Sequence, residues 1–456
     1  MIAPTTPSNT GLLERIIESA AKAVQTTPGK LWFFLAAICA LCVFFCFILA
    51  IQIGEMQKLV NTLGKRSNPS LIAAQRIRVS LFDMEAHAAN VFLQGGNEAK
   101  DQYDRDRVKV SNALVDAAQN IAYGDAEKTP IKAINAGIGK YIEMNEDARV
   151  LGFPKGLDKL ESSKDYMEDA LLPSAKTLAL VNSGDHLKSK SGVGIRAGEA
   201  AIMFAGGVLV AALAFLQIYF FRKFKRVLNP PLLAATLILC CFLFFAKSAF
   251  DDSDEYLQVA KKYSYQSIHD LWDVKAIARQ ANATESFYLL ETDERKGQTQ
   301  EEFNSLSAEL AIGSDPESMK NAHGERDSPD LPFLTRLAKR VVFSAEGEEG
   351  LIANLLEAYT EYMKINENIS KLEQSGKHKE AVELFIGTEK GHSGFAFELF
   401  NQKLEMLIEL DLKEFNENVA NSESKLSPLV FIGFGVGLLV AVLAVVGIAP
   451  RLKEYA

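Results

Sequence analysis

Arg222-Lys-Phe-Lys-Arg-Val-Leu-Asn-Pro-Pro231 is a short basic knot between two long apolar runs. One runs from Ala200 to Phe221 without a charge, the other from Val227 to Ala246. Each is about the length of a bilayer-spanning helix, which needs roughly 20 apolar residues. Two more apolar runs lie towards the ends of the chain, Leu31 to Gly54 and Leu426 to Pro450. If the knot faces the cytoplasm, the rest follows: four spans, both termini inside, and two large polar segments outside.

The mean hydropathy of the 456 residues is near zero, but that average hides a partition between charge-free runs and strongly polar stretches. Read in a window, the pattern is that of a polytopic membrane protein. The knot carries Arg222, Lys223, Lys225 and Arg226 with no acid, a charge of +4. The first thirty residues and the tail after Pro450 carry +1 each. The chain as a whole is −9, which leaves −15 for the remainder. By the positive-inside rule the basic pieces are the cytoplasmic ones. An acidic exterior argues against nucleic acid as a partner.

The expected division is a cytoplasmic segment 1–30, a span 31–54, an outer helical bundle 55–197 and a second span 200–221. The basic loop 222–229 follows, then a span 230–250, a second outer bundle 251–426, a last span 427–450 and a short tail 451–456. Within the first segment, Leu12, Leu13, Ile16, Ile17, Ala20 and Val24 have helical spacing and suit either an interfacial helix or a plain linker. The polar lead and the lack of a small-residue cleavage site make the first span a retained anchor.

Both outer segments read as helices. In the first, a helix through Ser80–Gln94 stops at Gly95-Gly96, a second covers about 98–122, and a third follows Pro130 and ends at Gly152-Phe-Pro-Lys-Gly156. A last helix holds Leu171-Leu-Pro-Ser-Ala175. In the second, helices are expected through Ala278–Leu290, over about 297–312 and 349–374, and from about 377 into the last span, with a Gly/Pro-interrupted loop at 313–329. The fold class is therefore all-α, with four transmembrane helices and two up-down four-helix bundles. Lys140-Tyr-Ile-Glu-Met-Asn-Glu146 shares Tyr, Asn and Glu in register with Glu361-Tyr-Met-Lys-Ile-Asn-Glu367, which suggests an internal duplication.

Signatures of catalysis are missing: no HExxH, GxSxG, Walker A or strand-borne GxGxxG. The six histidines are scattered, so no metal or cofactor is expected. All five cysteines lie in the apolar runs, and Cys39, Cys42 and Cys46 share one helix face that suits close packing against another span. The outer bundles therefore fold without disulfides. No ionisable group sits at mid-depth in a span, which argues against an ion pathway.

Ligand contacts are sought among polar residues on bundle-facing stripes. These are Asp83, Glu85, Asn145 and Arg149 in the first bundle, with Arg279, Asn282, Glu285 and Asn366 in the second. Two readings stay open for them: polar core positions that fix helix register, or a ligand pocket. For Arg222, Lys223, Lys225 and Arg226 the two readings are contact with anionic lipid and docking of a cytoplasmic partner.

Several stretches carry a family likeness: Thr27-Pro-Gly-Lys30, Ser80–Gly96, Tyr141…Asn145-Glu-Asp-Ala-Arg149, Leu171-Leu-Pro-Ser-Ala175 and Arg451-Leu-Lys-Glu-Tyr455. With the span order, they resemble the four-span bacterial membrane proteins of the GlnX type, best represented in actinobacteria. The resemblance implies outer bundles like the ligand-binding domains of chemoreceptors. It further implies a solute-binding lipoprotein of the glutamine-binding type outside and a Ser/Thr kinase of the protein kinase G type inside. No functional residue is carried over. The expectation is a non-enzymatic transmembrane sensor in the bacterial plasma membrane, with a homo-oligomer open. The alternative is a scaffold protein that assembles the envelope without a ligand.

Overall fold

A computed structural model describes residues 26–62, 68–94, 97–182, 185–224, 229–260, 265–291, 293–325, 328, 330–340 and 348–453. All regular structure among them is helical. In chain order the helices are α1 (Thr27–Thr62), α2 (Asn68–Gln94), α3 (Asn97–Gln119), α4 (Asp125–Leu151), α5 (Leu157–Tyr166) and α6 (Leu172–Asn182). They continue as α7 (Asp185–Phe224), α8 (Pro230–Val259), α9 (Gln266–Leu290), α10 (Asp293–Leu310), α11 (Pro316–Asn321) and α12 (Phe333–Arg340). The last are α13 (Glu348–Gln374), α14 (His378–Ile386) and α15 (Ser393–Lys453). The amphipathic reading of residues 12–24 lies outside the described residues.

The chain divides into two compact units. One gathers the described parts of Met1–Val60, Lys188–Leu257 and Val419–Ala456, and the other gathers Asn61–Leu187 and Gln258–Asn418. In the first unit α1, α8, the Arg196–Lys223 part of α7, and α15 are each long and apolar enough to cross a bilayer, which marks a membrane protein. Trp32, Phe204, Phe244 and Phe431 stay exposed on these helices, as side chains that face lipid do. Close contacts use small residues. A Cβ on Gly437 would come 2.5 Å from Cys46 Sγ, so the cysteine-bearing face of α1 packs directly on α15. Polar contacts join α8 and its flank to α15: Asn229 Nδ2 donates to the Gly447 carbonyl at 2.8 Å, Ser253 and Ser422 share a hydrogen bond of 2.8 Å, and Lys425 Nζ donates to Asp252 at 2.9 Å.

The second unit is built on α2 and α9. Both are buried on nearly every face, as expected of helices at the centre of a bundle rather than on its surface. They pack against each other; α3 and α6 cover α2, and α10 covers α9. The main apolar core holds Ile77, Leu81, Met84, Tyr141, Leu160 and Leu171 from the first inter-span segment, together with Phe287 and Leu290 from the second. The two segments therefore share a core.

Three local features depart from the sequence reading. Helix α4 starts at Asp125, ahead of Pro130, because Glu127 anchors its first turn. The Glu127 carboxylate accepts from the backbone N–H groups of Ala122 (2.6 Å) and Tyr123 (2.5 Å) and also from Ser70 Oγ. Between α5 and α6 lies a one-turn π segment, Met167–Leu171. Pro173 follows at once and has no N–H to continue the α ladder, so the register shift falls where a ladder bond is already missing. The expected helix from 377 into the last span is broken between Ile386 and Ser393. There Gly391 takes a φ of 95°, open to glycine and costly for other residues.

Gly156 closes the turn after α4, with its N–H on the Gly152 carbonyl. A Cβ there would lie 2.1 Å from the Ala148 carbonyl oxygen, a backbone atom that cannot swing away. Gly156→Ala is therefore expected to cost about 2 kcal/mol through forced backbone movement. Chemical denaturation of the full chain checks this, and an unchanged midpoint would mean that the turn yields freely.

Candidate functional site

One face from each of four helices of the second unit lines an open cleft of 490 Å³. Helix α2 offers Ile72, Arg76, Val79, Ser80 and Asp83; α3 offers Lys109, Asn112, Ala113 and Asp116. Helix α9 adds Trp272, Lys275 and Arg279, and α15 adds Glu405, Ile408, Glu409 and Leu412. Spacings of three and four residues put each set on a single stripe.

Ion pairs between helices organise the cleft floor. Arg279 Nη1 lies 3.1 Å from Asp83 Oδ1, a charge contact between the two inter-span segments rather than an aligned hydrogen bond. The guanidinium also stacks over Phe397, 4.9 Å from the ring centroid. Lys275 pairs with Glu405 and lies 5.2 Å from the Trp272 ring centre. Burial pulls the Lys275 ammonium below its ordinary range, although Glu405 favours the charged form. For Glu405 burial is the largest influence and pushes upward, but the bond and charge of Lys275 together with the charges of Arg279 and Lys109 outweigh it, so the carboxyl lies below the usual range. At the rim Lys109 donates to Asp106 at 2.7 Å, and Arg76 is exposed. The floor thus presents fixed charges of both signs beside an indole, a surface able to hold a small polar molecule or a charged protein segment.

Of the residues singled out in sequence, Asp83 and Arg279 meet in this cleft. Glu285 and Asn366 also meet, but in a closed network. The Glu285 carboxylate accepts from Asn366 Nδ2 at 2.8 Å and from Tyr362 Oη at 3.0 Å, so both its oxygens are occupied. Burial pushes this carboxyl up to about 7. Asn145 clips α4 to α5: its Nδ2 donates to the Tyr141 carbonyl at 2.9 Å, and its Oδ1 accepts from Ser163 Oγ at 3.1 Å. Arg149 is held on the surface by Glu146, at 2.6 Å. Asn145 and Arg149 share a recess of only 10 Å³, room for about one water. Glu85 is buried apart from the cleft. Arg222 and Lys223 are exposed at the end of α7, while Lys225 and Arg226 lie outside the described residues.

Lys275, Glu405, Trp272 and Lys109 escaped the sequence reading. The one available signal was position: Lys275 lies three residues after Trp272 and four before Arg279, on one helix stripe.

Residues 59–189 match the family described as an actinobacterial sensor domain. This stretch covers α2 to α6, including the α2 and α3 walls of the cleft. This region is therefore similar to a bacterial sensor domain, and the match supports a sensing role for it. No curated protein and no solved structure matches the chain.

Proposed function

We propose that the protein is a non-enzymatic transmembrane signal transducer whose outer unit senses a small molecule or a solute-binding protein. The observation that carries this reading is the 490 Å³ cleft, walled partly by the matched sensor region and partly by α15. Helix α15 runs from Ser393 to Lys453 with Pro428 inside it, so Glu405 and the apolar last span are carried by one helical segment of the chain. An occupant shifts the protein only if it binds two states of those walls differently.

The four spans have both termini in the cytoplasm of the bacterial plasma membrane, and the outer unit is a duplicated pair of four-helix bundles merged through the core that the two segments share. The Tyr/Asn/Glu register at residues 140–146 and 361–367 supports the duplication. The basic loop 222–229 contacts anionic lipid or docks a separate cytoplasmic effector, by resemblance a Ser/Thr kinase, and a lipoprotein of the glutamine-binding type is the corresponding outer partner.

The test uses the full chain in lipid nanodiscs, with thermal shift against a panel of small polar metabolites and co-purification of partners from native membranes. A stabilising compound or a co-purifying solute-binding protein is expected, with binding at least about tenfold weaker in Glu405→Ala. The Glu405 side chain is 57% exposed, but its loss leaves the buried Lys275 ammonium without its partner, so Glu405→Gln, which keeps an acceptor there, is run alongside and ligand-free thermal stability is compared first. Neither a compound nor such a partner, with envelope-assembly proteins recovered instead, favours the scaffold alternative.

A further inference from the structure

We propose that the outer unit is itself responsive to protons, with Glu85 as the titrating group and the Lys164–Glu302 contact between the two inter-span segments as the element it switches. This site is separate from the cleft and does not depend on a ligand there.

Glu85 sits on the central helix α2 and is 3% exposed, and its Oε1 has no hydrogen-bond partner. An unpaired carboxylate in that position is costly, whereas the neutral acid is tolerated. The positive group that acts on it is Lys164, on α5. That ammonium is already shared: it lies 3.4 Å from Glu302 on α10 and 3.6 Å from Glu168 in the π turn, with the Phe287 ring of α9 centred 5.0 Å away. Tyr141 on α4 also faces Glu85, and Tyr103 on α3 faces Tyr141. Glu291, past the end of α9, acts on Lys164. One cation thus serves a ring of acids contributed by both segments.

While Glu85 is protonated, Lys164 is free to hold Glu302 and tie α5 to α10. When Glu85 loses its proton, a third carboxylate competes for the same ammonium, and the contact between segments weakens. Burial pushes Glu85 up to about 8, against the opposing pull of Lys164. The folded unit therefore keeps a proton that the unfolded chain releases near the ordinary value of 4.5, so stability falls as pH rises from about 4.5 to about 8. Glu285 titrates in the same region, but both its oxygens are already bonded, and it serves the α9–α13 contact instead.

The experiment is hydrogen–deuterium exchange on the full chain in nanodiscs from pH 6 to pH 9, corrected for intrinsic exchange. Protection of α10 relative to α13 is expected to fall by about tenfold, with a midpoint near 8. Glu85→Gln should abolish that fall. Lys164→Met removes the switched contact itself, so α10 should already be poorly protected at pH 6 and should show no further fall. A fall that persists unchanged in Glu85→Gln, flat protection in the unmodified chain, or a full fall retained in Lys164→Met would each overturn the proposal.

Discussion

Asp83→Ala is expected to destabilise the second unit by ~3 kcal/mol, among the largest effects of any polar substitution in the chain. The side chains of Asp83 and Arg279 are 8% and 17% exposed, so the pair is mostly removed from water. Removing the carboxylate leaves the guanidinium desolvated beside the Lys275 ammonium, and that uncompensated charge is the main cost. The pair itself is not worth that amount, because desolvation of both groups offsets most of their attraction. Asp83→Leu combined with Arg279→Met should therefore recover most of the stability. Chemical denaturation of the single and double variants separates these outcomes. If the double variant is as unstable as Asp83→Ala alone, the floor of the cleft depends on specific polar geometry rather than on charge balance.

Phe287→Ala is expected to cost ~4 kcal/mol, the range for emptying a buried aromatic site. Phe287 is 1% exposed and belongs to α9, yet the core it fills is made mostly of first-segment residues, among them Met84, Tyr141 and Leu171. The cavity would open where the two segments share their apolar surface, and it would remove the ring against which Lys164 lies. Phe287→Leu should retain most of the volume and cost about 1 kcal/mol. Exchange protection in α4 and α6, which lie in the other segment, should fall together with that of α9. If only α9 loosens, the two segments hold their cores independently.

Much of the architecture was legible in the sequence, because lipid demands length and charge-free composition. The expected spans 31–54, 200–221, 230–250 and 427–450 fall within α1, α7, α8 and α15. The stop at Gly95-Gly96 marks the end of α2 at Gln94, and Gly152 follows α4 at Leu151. A helix-face pattern says which residues turn inward but not which helix they meet. Asp83 and Arg279 could each be picked out, but their meeting depends on α2 and α9 packing together, and those two helices show almost no polar face. Lys275 and Glu405 were invisible for the same reason, since their partnership joins residues 130 positions apart. The break before Ser393 was missed because the helix-forming stretches on either side outweigh a few intervening glycines in any window average.

The chain contains only two tryptophans, Trp32 in the first span and Trp272 on the cleft wall. The molecule therefore carries its own fluorophore at the place where an occupant would sit. With Trp32 replaced by phenylalanine, all remaining indole emission comes from a ring that has the Lys275 ammonium 5.2 Å from its centre. Indole emission is sensitive to a nearby charge, so displacing that ammonium changes the optical signal without any attached dye.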